Sequence, residues 1–216
     1  RGLKNGMDYA DKIAKGDLSG TLKLHSKDEL GKLADALRAI PETLKAVVGE
    51  YEILEQNIGA GRIDTKGDPT RFSGEYSHLI EGTNSILGRL TDIIDNIPAP
   101  TIILDKDFKV LYMNATAQNV STTDFKGKSC GEVFRRDDYG SPEDALRKAL
   151  ATGRPASAET VARPQGNPMD ISYTSIPMLD AQGKVTFILQ LITDLTAIKS
   201  TQRTIIDVAT QALDIS

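Results

Sequence analysis

Apolar side chains step along the first hundred positions by threes and fours, with two glycine-bearing interruptions. Leu3, Met7, Ala10 and Ile13 or Ala14 form the first stripe, which is the period of a helix with one apolar face. Lys15 and Gly16 close it, a cation in the last turn followed by the residue that tolerates positive φ. After "GDLSGTLKLH" the stripe resumes. Ser26 with Glu29 predicts a capping box, and Leu30, Leu33, Leu37, Ile40, Leu44, Val47, Tyr51, Leu54 and Ile58 alternate steps of three and four. So narrow a seam predicts a helical bundle or coiled coil. Pro41 inside it predicts a kink or restart, because proline cannot donate to the carbonyl of Leu37. A second break opens at Gly59 and Gly61, and beyond it Tyr76, Leu79, Thr83, Ile86, Leu90, Ile93 and Ile97 repeat the spacing. Helix, connector, helix thus occurs twice, an internal repeat.

At "IPAP" the period changes. "TIILDKDFKVLYMN" predicts two short strands around an Asp-Lys-Asp turn. "SPEDALRKALATG" predicts a helix with Ser141 as N-cap, Pro142 at its first position and Gly153 just past its end. "PASAETVA", "PMDISYTSIPML" and "KVTFILQLITDL" predict three further strands, the last two joined by the turn "DAQG". Five strands with helices on one side describe an α+β module on an antiparallel sheet. From Leu195 the seam returns at Ile198, Gln202, Ile205, Ala209 and Ala212.

Composition narrows the chemistry. A net charge of −4 with no Lys/Arg-rich run argues against nucleic acid as a partner. The single cysteine, Cys130, excludes an internal disulfide and fits a reducing compartment. Aromatics at 5% with no Trp suit long helices that bury only a stripe. No stretch approaches the roughly 18 apolar residues that span a bilayer. The chain opens "RGLKNGMDYA", inside a helical pattern and without an initiator Met, so a segment of a longer protein is expected. P-loop, zinc-spaced and Ser-His-Asp arrangements are all missing, and "GAGRID" lacks the preceding strand and third glycine of a dinucleotide loop. No enzymatic activity is expected. The only histidines, His25 and His78, precede the α+β module, which argues against a His-ligated haem there. Any other cofactor is left unknown.

The first connector resembles that of the HAMP domain of bacterial transmembrane receptors. Gly16-x-Leu18-x-x-x-Leu22 followed by Asp28-Glu29-Leu30-Gly31 carries the likeness. The resemblance implies two parallel helices per chain, paired as a four-helix bundle in a homodimer. It also implies that Gly16 makes the turn, that Leu18 and Leu22 anchor the connector, and that Glu29 and Gly31 open the second helix. The second unit is similar to divergent HAMP units of tandem arrays: Gly61-x-Ile63 matches, but Gly67 stands at the second anchor position. The α+β module resembles a PAS domain through its strand order, through Asn114 after the second strand, and through the closing "TDLT" with Asp194 and Thr196. That likeness implies a ligand or cofactor between sheet and helices, with Tyr112, Met113, Asn114, Cys130, Phe134, Tyr173 and Gln190 as candidate lining residues.

The expected organisation is a multi-domain chain: a HAMP domain over 1–46, a divergent second HAMP-like unit over 47–91, a PAS sensor over 92–196 and the start of an output coiled coil over 197–216. These resemblances imply the cytoplasmic portion of an inner-membrane methyl-accepting chemotaxis receptor, a homodimer. Gly16, Leu18, Leu22, Glu29, Gly31, Asp194 and Thr196 would relay the signal, a small molecule would be the PAS ligand, and kinase and adaptor proteins would be partners of a downstream signalling domain. The alternatives are the linker region of a sensor histidine kinase and a dimerising structural module without a ligand.

Overall fold

The computed structural model describes residues 2–121 and 124–214. They form two compact units, one reaching to Glu55 and including Lys66–Ser85, the other comprising Gln56–Thr65 and the chain from Ile86 onward. The side chain of Ala212 lies outside the described residues, as do residues 215 and 216 at the end of the last seam.

In the first unit, helix α1 (Gly2–Ala14) ends in a Schellman turn: Gly16 has φ +85°, its N–H donates to the Ile13 carbonyl at 2.9 Å, and Asp17 N–H donates to Lys12 at 2.9 Å. The connector then runs back along α1, with Gly20 against the Tyr9 ring and Leu24 against Gly2. Helix α2 (Glu29–Gly59) therefore starts beside the start of α1 and runs parallel to it, Leu37 reaching Gly6. Tyr9, Leu22 and Ala34 form a small core with Ile13, Leu24 and Leu37 packed on it.

One sequence expectation fails here. Asp28, not Ser26, caps α2: its carboxylate accepts from Leu30 N–H at 3.1 Å and Gly31 N–H at 3.3 Å. Ser26 instead turns its carbonyl towards Gly31, where an added Cβ would lie 2.0 Å from that oxygen. Pro41 lies buried inside one continuous α2, so of a kink or a restart the helix does not take the restart.

Helix α3 spans Glu75–Asp95. Strands β1 (Thr101–Leu104), β2 (Val110–Met113), β3 (Ala156–Ala162), β4 (Met169–Leu179) and β5 (Val185–Asp194) form an antiparallel sheet in the order β2-β1-β5-β4-β3. The two outermost sequence hairpins thus meet through β1 and β5, with Ile102 opposite Gln190. Alternate residues of β4 and β5 are buried, and α4 (Ala115–Val120), α5 (Cys130–Phe134) and α6 (Ala145–Thr152) contribute Ala117, Phe134 and Leu146 to the same core. Gly153 ends α6 in the left-handed region as expected, but Asp144 rather than Ser141 is its N-cap, accepting from Leu146 N–H at 3.0 Å. Helix α7 (Thr196–Asp214) leaves from the end of β5.

Candidate functional site

The candidate ligand residues lie mostly in solid packing. Asn114 is fully buried, and its amide is used up: Oδ1 accepts from Thr101 and Ala117 N–H, each at 2.9 Å, while Nδ2 donates to the carbonyls of Ile94, Ile97 and Ala99. It locks the chain entering the sheet to the start of α4. Tyr112 donates to Asp95 at 2.6 Å, and burial together with this bond raises its hydroxyl pKa. Met113 is wholly enclosed in the core. Cys130 contacts Gln190 Oε1 at 3.7 Å, and Gln190 donates to Ser175 at 3.1 Å. Burial pushes the Cys130 thiol up to about 11, the Arg136 charge acting the other way. Tyr173 hydrogen-bonds Asp138 and lies under the Arg136 guanidinium, 4.0 Å from ring centroid to charge centre.

Arg136 was not singled out by pattern, yet it organises this part of the core. Its side chain is fully buried and bonds Asp144 at 2.9 Å, with Asp138 3.7 Å from Nε. One cation faces two carboxylates, so the cluster already has its counter-charges. Nothing in the run "EVFRRDDYG" distinguishes Arg136 from its exposed neighbour Arg135.

Of the seven candidates only Phe134 borders a hollow of about 280 Å³ in the sheet domain. Phe134, Ile171 and Ile192 line its interior, with Val120, Pro164 and Met169 also bordering it. Ala99 and Pro100, where the chain enters the sheet, and Thr193 and Asp194, where it leaves, complete the rim. The other candidates fall away because their polar groups are bonded within the protein or their side chains fill the core.

Beside the rim the entry and exit are bonded together. Ile192 N–H donates to the Pro100 carbonyl at 3.0 Å, and Thr116 Oγ1 donates to the Ile97 carbonyl at 3.0 Å. Asp194 Oδ1 accepts from Thr196 N–H at 2.8 Å, which starts α7. Thr196 Oγ1 in turn accepts from Asp170 N–H at 3.1 Å, and Leu195 N–H donates to the Asp170 carbonyl at 2.7 Å. The Asp170 carboxylate reaches Arg203, a turn and more along α7, at 3.0 Å. Asp194 and Thr196 therefore occupy a junction that bonds the ends of β4 and β5 to the first turns of α7.

At the first connector, Gly16 makes the turn and Leu22 is buried at 5% exposure, whereas Leu18 is half-buried and outside the core cluster. Leu24 takes the packed place instead. Glu29 is exposed in the first turn of α2, and Gly31 is the point of closest backbone approach. Arg38, which pattern alone did not reveal, donates to the carbonyls of Leu22 at 3.0 Å and Leu24 at 2.9 Å, fastening the connector to α2.

The second connector starts with the same Schellman turn: Gly61 has φ +86°, and Arg62 N–H donates to Asn57 at 2.9 Å. Where the apolar anchor is missing, a polar clamp replaces it. Asn84 pairs with both backbone groups of Gly67, accepting from its N–H at 2.8 Å and donating to its carbonyl at 2.9 Å. Ile80 Cγ2 would lie 2.9 Å from a Cβ at Gly67, so only glycine admits this approach. Glu50, buried at 5% exposure, accepts from Asp68 N–H at 2.8 Å and pairs with Arg71.

Comparison with known proteins bears on both units. Residues 6–40 match the HAMP domain and residues 94–200 match the PAS fold. The chain carries a HAMP domain followed by a PAS domain. No curated protein sequence matches it. Among solved structures, an RNA-binding light-oxygen-voltage receptor superposes with a TM-score of 0.50 at 19% identity, over 60% of this chain and 39% of that one. The PAS domain of a protein from Colwellia psychrerythraea aligns at 13% identity and a TM-score of 0.46, over 52% of this chain and 98% of that one. A PAS domain from a two-component sensor histidine kinase gives 13% identity and 0.44 over 52% and 98%. At these identities the likeness concerns the fold. Among the described residues no helix is long and apolar enough to cross a membrane. The HAMP and PAS domains together make the segment a signal-transduction sensor module.

Proposed function

We propose that this module is the relay segment of a transmembrane chemotaxis receptor, working as a homodimer on the cytoplasmic side of the inner membrane. Input from a membrane-spanning segment enters the HAMP helices and shifts their bundle between two packings. The PAS domain adds a second input, and α7 hands the sum to a signalling domain that works with a kinase and its adaptor. The segment performs no bond chemistry of its own. A ligand or neighbour acts by favouring one packing over the other, since only differential affinity moves such an equilibrium.

The observation that carries this reading is the junction of β5 with α7. Asp194, Thr196 and Asp170 couple the sheet to a helix of 19 residues whose seam positions Ile198 and Ile205 are exposed at 57% and 63%. A helix with an uncovered apolar stripe has its natural partner in the same stripe of a second copy. The tail "TQRTIIDVATQALDIS" is similar to the approach to a chemoreceptor signalling helix, which favours that class of output over a histidine kinase.

The test is a pair of fusions, joining this segment after Ser216 to a chemoreceptor signalling hairpin and to a histidine-kinase core. In cells lacking their own receptors the first fusion is expected to control swimming bias, and Asp194→Ala is expected to lock that bias. Control of autophosphorylation in the second fusion alone would move the reading to the kinase.

A further inference from the structure

The cavity of the PAS domain has a chemistry and a position that together define what it would hold. Its interior is aliphatic and aromatic, from Phe134, Ile171 and Ile192, with Val120 and Met169 also lining it. Among the described residues its lining includes no Lys, Arg or His, and Asp194 is the single charged member. A volume of about 280 Å³ sits at the small end of ligand sites, which run from about 300 to 1,000 Å³. An anion placed there would lose its hydration with no cation to receive it and would face the Asp194 carboxylate. A compact apolar molecule gains by burial, and an ammonium group on it would meet Asp194 at the rim.

The position matters as much. The rim is built from Ala99 and Pro100 on the entering chain and Thr193 and Asp194 on the leaving chain. Asp194 also caps α7 through Thr196 N–H at 2.8 Å. An occupant would therefore touch the two segments through which the domain is wired into the helices.

We propose that this rim cavity, rather than the packed space around Cys130, Tyr173 and Gln190, is the sensor's ligand site, and that it takes a compact, predominantly apolar molecule that is neutral or carries one positive charge. The inference rests on the relay reading above and specifies its second input. Bound at the rim, such a molecule tightens the entry and exit strands together and orders the first turn of α7.

Three probes of one ring system separate the possibilities: indole, tryptamine and indole-3-acetate, titrated into the 216-residue chain and followed by amide NMR shifts. Indole and tryptamine are expected to bind at micromolar to millimolar concentration, tryptamine the tighter, and indole-3-acetate at least about tenfold more weakly than indole, the size of one lost or opposed polar contact. Amides of Thr196–Lys199 are expected to exchange more slowly with tryptamine bound. Val120→Trp and Met169→Trp, each filling the hollow from a half-buried position, are expected to abolish binding while the rest of the spectrum stays folded. Indole-3-acetate binding as tightly as tryptamine overturns the ligand class. Binding that survives both tryptophan variants, or no binding by indole or tryptamine at millimolar concentration, overturns the site. None of these results touches the fusion experiment, so the relay reading stands or falls separately.

Discussion

Cys130 and Gly31 show how single positions are settled by what surrounds them. The Cys130 thiol is wholly buried and its pKa is raised from about 9.0 to about 11. A group that holds its proton more tightly when folded favours folding below its unfolded pKa and loses that contribution as pH rises through the folded value. Stability is thus expected to be constant up to about pH 9 on this account and to fall between about pH 9 and 11, where unfolded chains ionise first. Tyr112 and Tyr173, both raised by burial, continue the loss at higher pH. Urea midpoints across this range check it: Cys130→Ala should flatten the first part of the fall, and at pH 8 iodoacetamide should label the folded wild-type thiol far more slowly than the unfolded one. Gly31 is constrained by space alone. A Cβ would stand 2.0 Å from the Ser26 carbonyl oxygen, so Gly31→Ala is expected to cost about 1–3 kcal/mol as an overpacked contact. Thermal unfolding of the HAMP unit followed by circular dichroism measures it, and an unchanged midpoint would show that the approach to Ser26 relaxes freely.

Among the elements, the two connectors share a turn and differ in their fastening. Both open with a Schellman glycine, Gly16 and Gly61, which the sequence showed because a helical stripe stopped at each. Leu22 was also visible as an apolar residue in a polar stretch. Arg38, Asn84 and Glu50 were not, because a polar residue on a helix has the same sequence signature whether it faces water or clasps a neighbouring backbone. The same blindness explains the caps: Asp28 and Asp144 are as good acceptors as Ser26 and Ser141, and only the path of the chain selects between them. The sheet was legible for the opposite reason, since alternation along β4 and β5 follows from one face being buried. The ligand residues were the least legible, because a residue type that can line a cavity can equally fill a core. If Asn84 is the fastening of the second connector, Asn84→Leu should leave the N–H and carbonyl of Gly67 without partners at a cost of about 1–3 kcal/mol. A lowered urea midpoint together with faster exchange of the Gly67 amide is the expected pair of results, and an unaltered Gly67 amide would assign the fastening to Ile80 and Glu50.

Across the molecule, part of the helical seam is uncovered while Val47 and Leu54 of the same seam are buried. Leu33 and Ile40 on α2 and Ile86, Leu90 and Ile93 on α3 are exposed at 41% to 65%, although they occupy the positions that a bundle would bury. In a parallel homodimer each meets its own copy. Leu33→Cys and Leu90→Cys are accordingly expected to form disulfides across chains on mild oxidation, with Lys45→Cys, on the exposed side of α2, forming few. Equal crosslinking at all three would speak for random collision instead of a seam. The buried Cys130 does not compete in this assay.

The bond from Ile192 to the Pro100 carbonyl has a consequence for how such a chain could be assembled. A domain whose two ends meet is a lay-by beside a road: traffic enters and leaves at one point, and the road itself need not bend. The PAS domain can then be spliced in or cut out with little strain on the flanking helices. Any message from it would then reach the flanking chain at that one point.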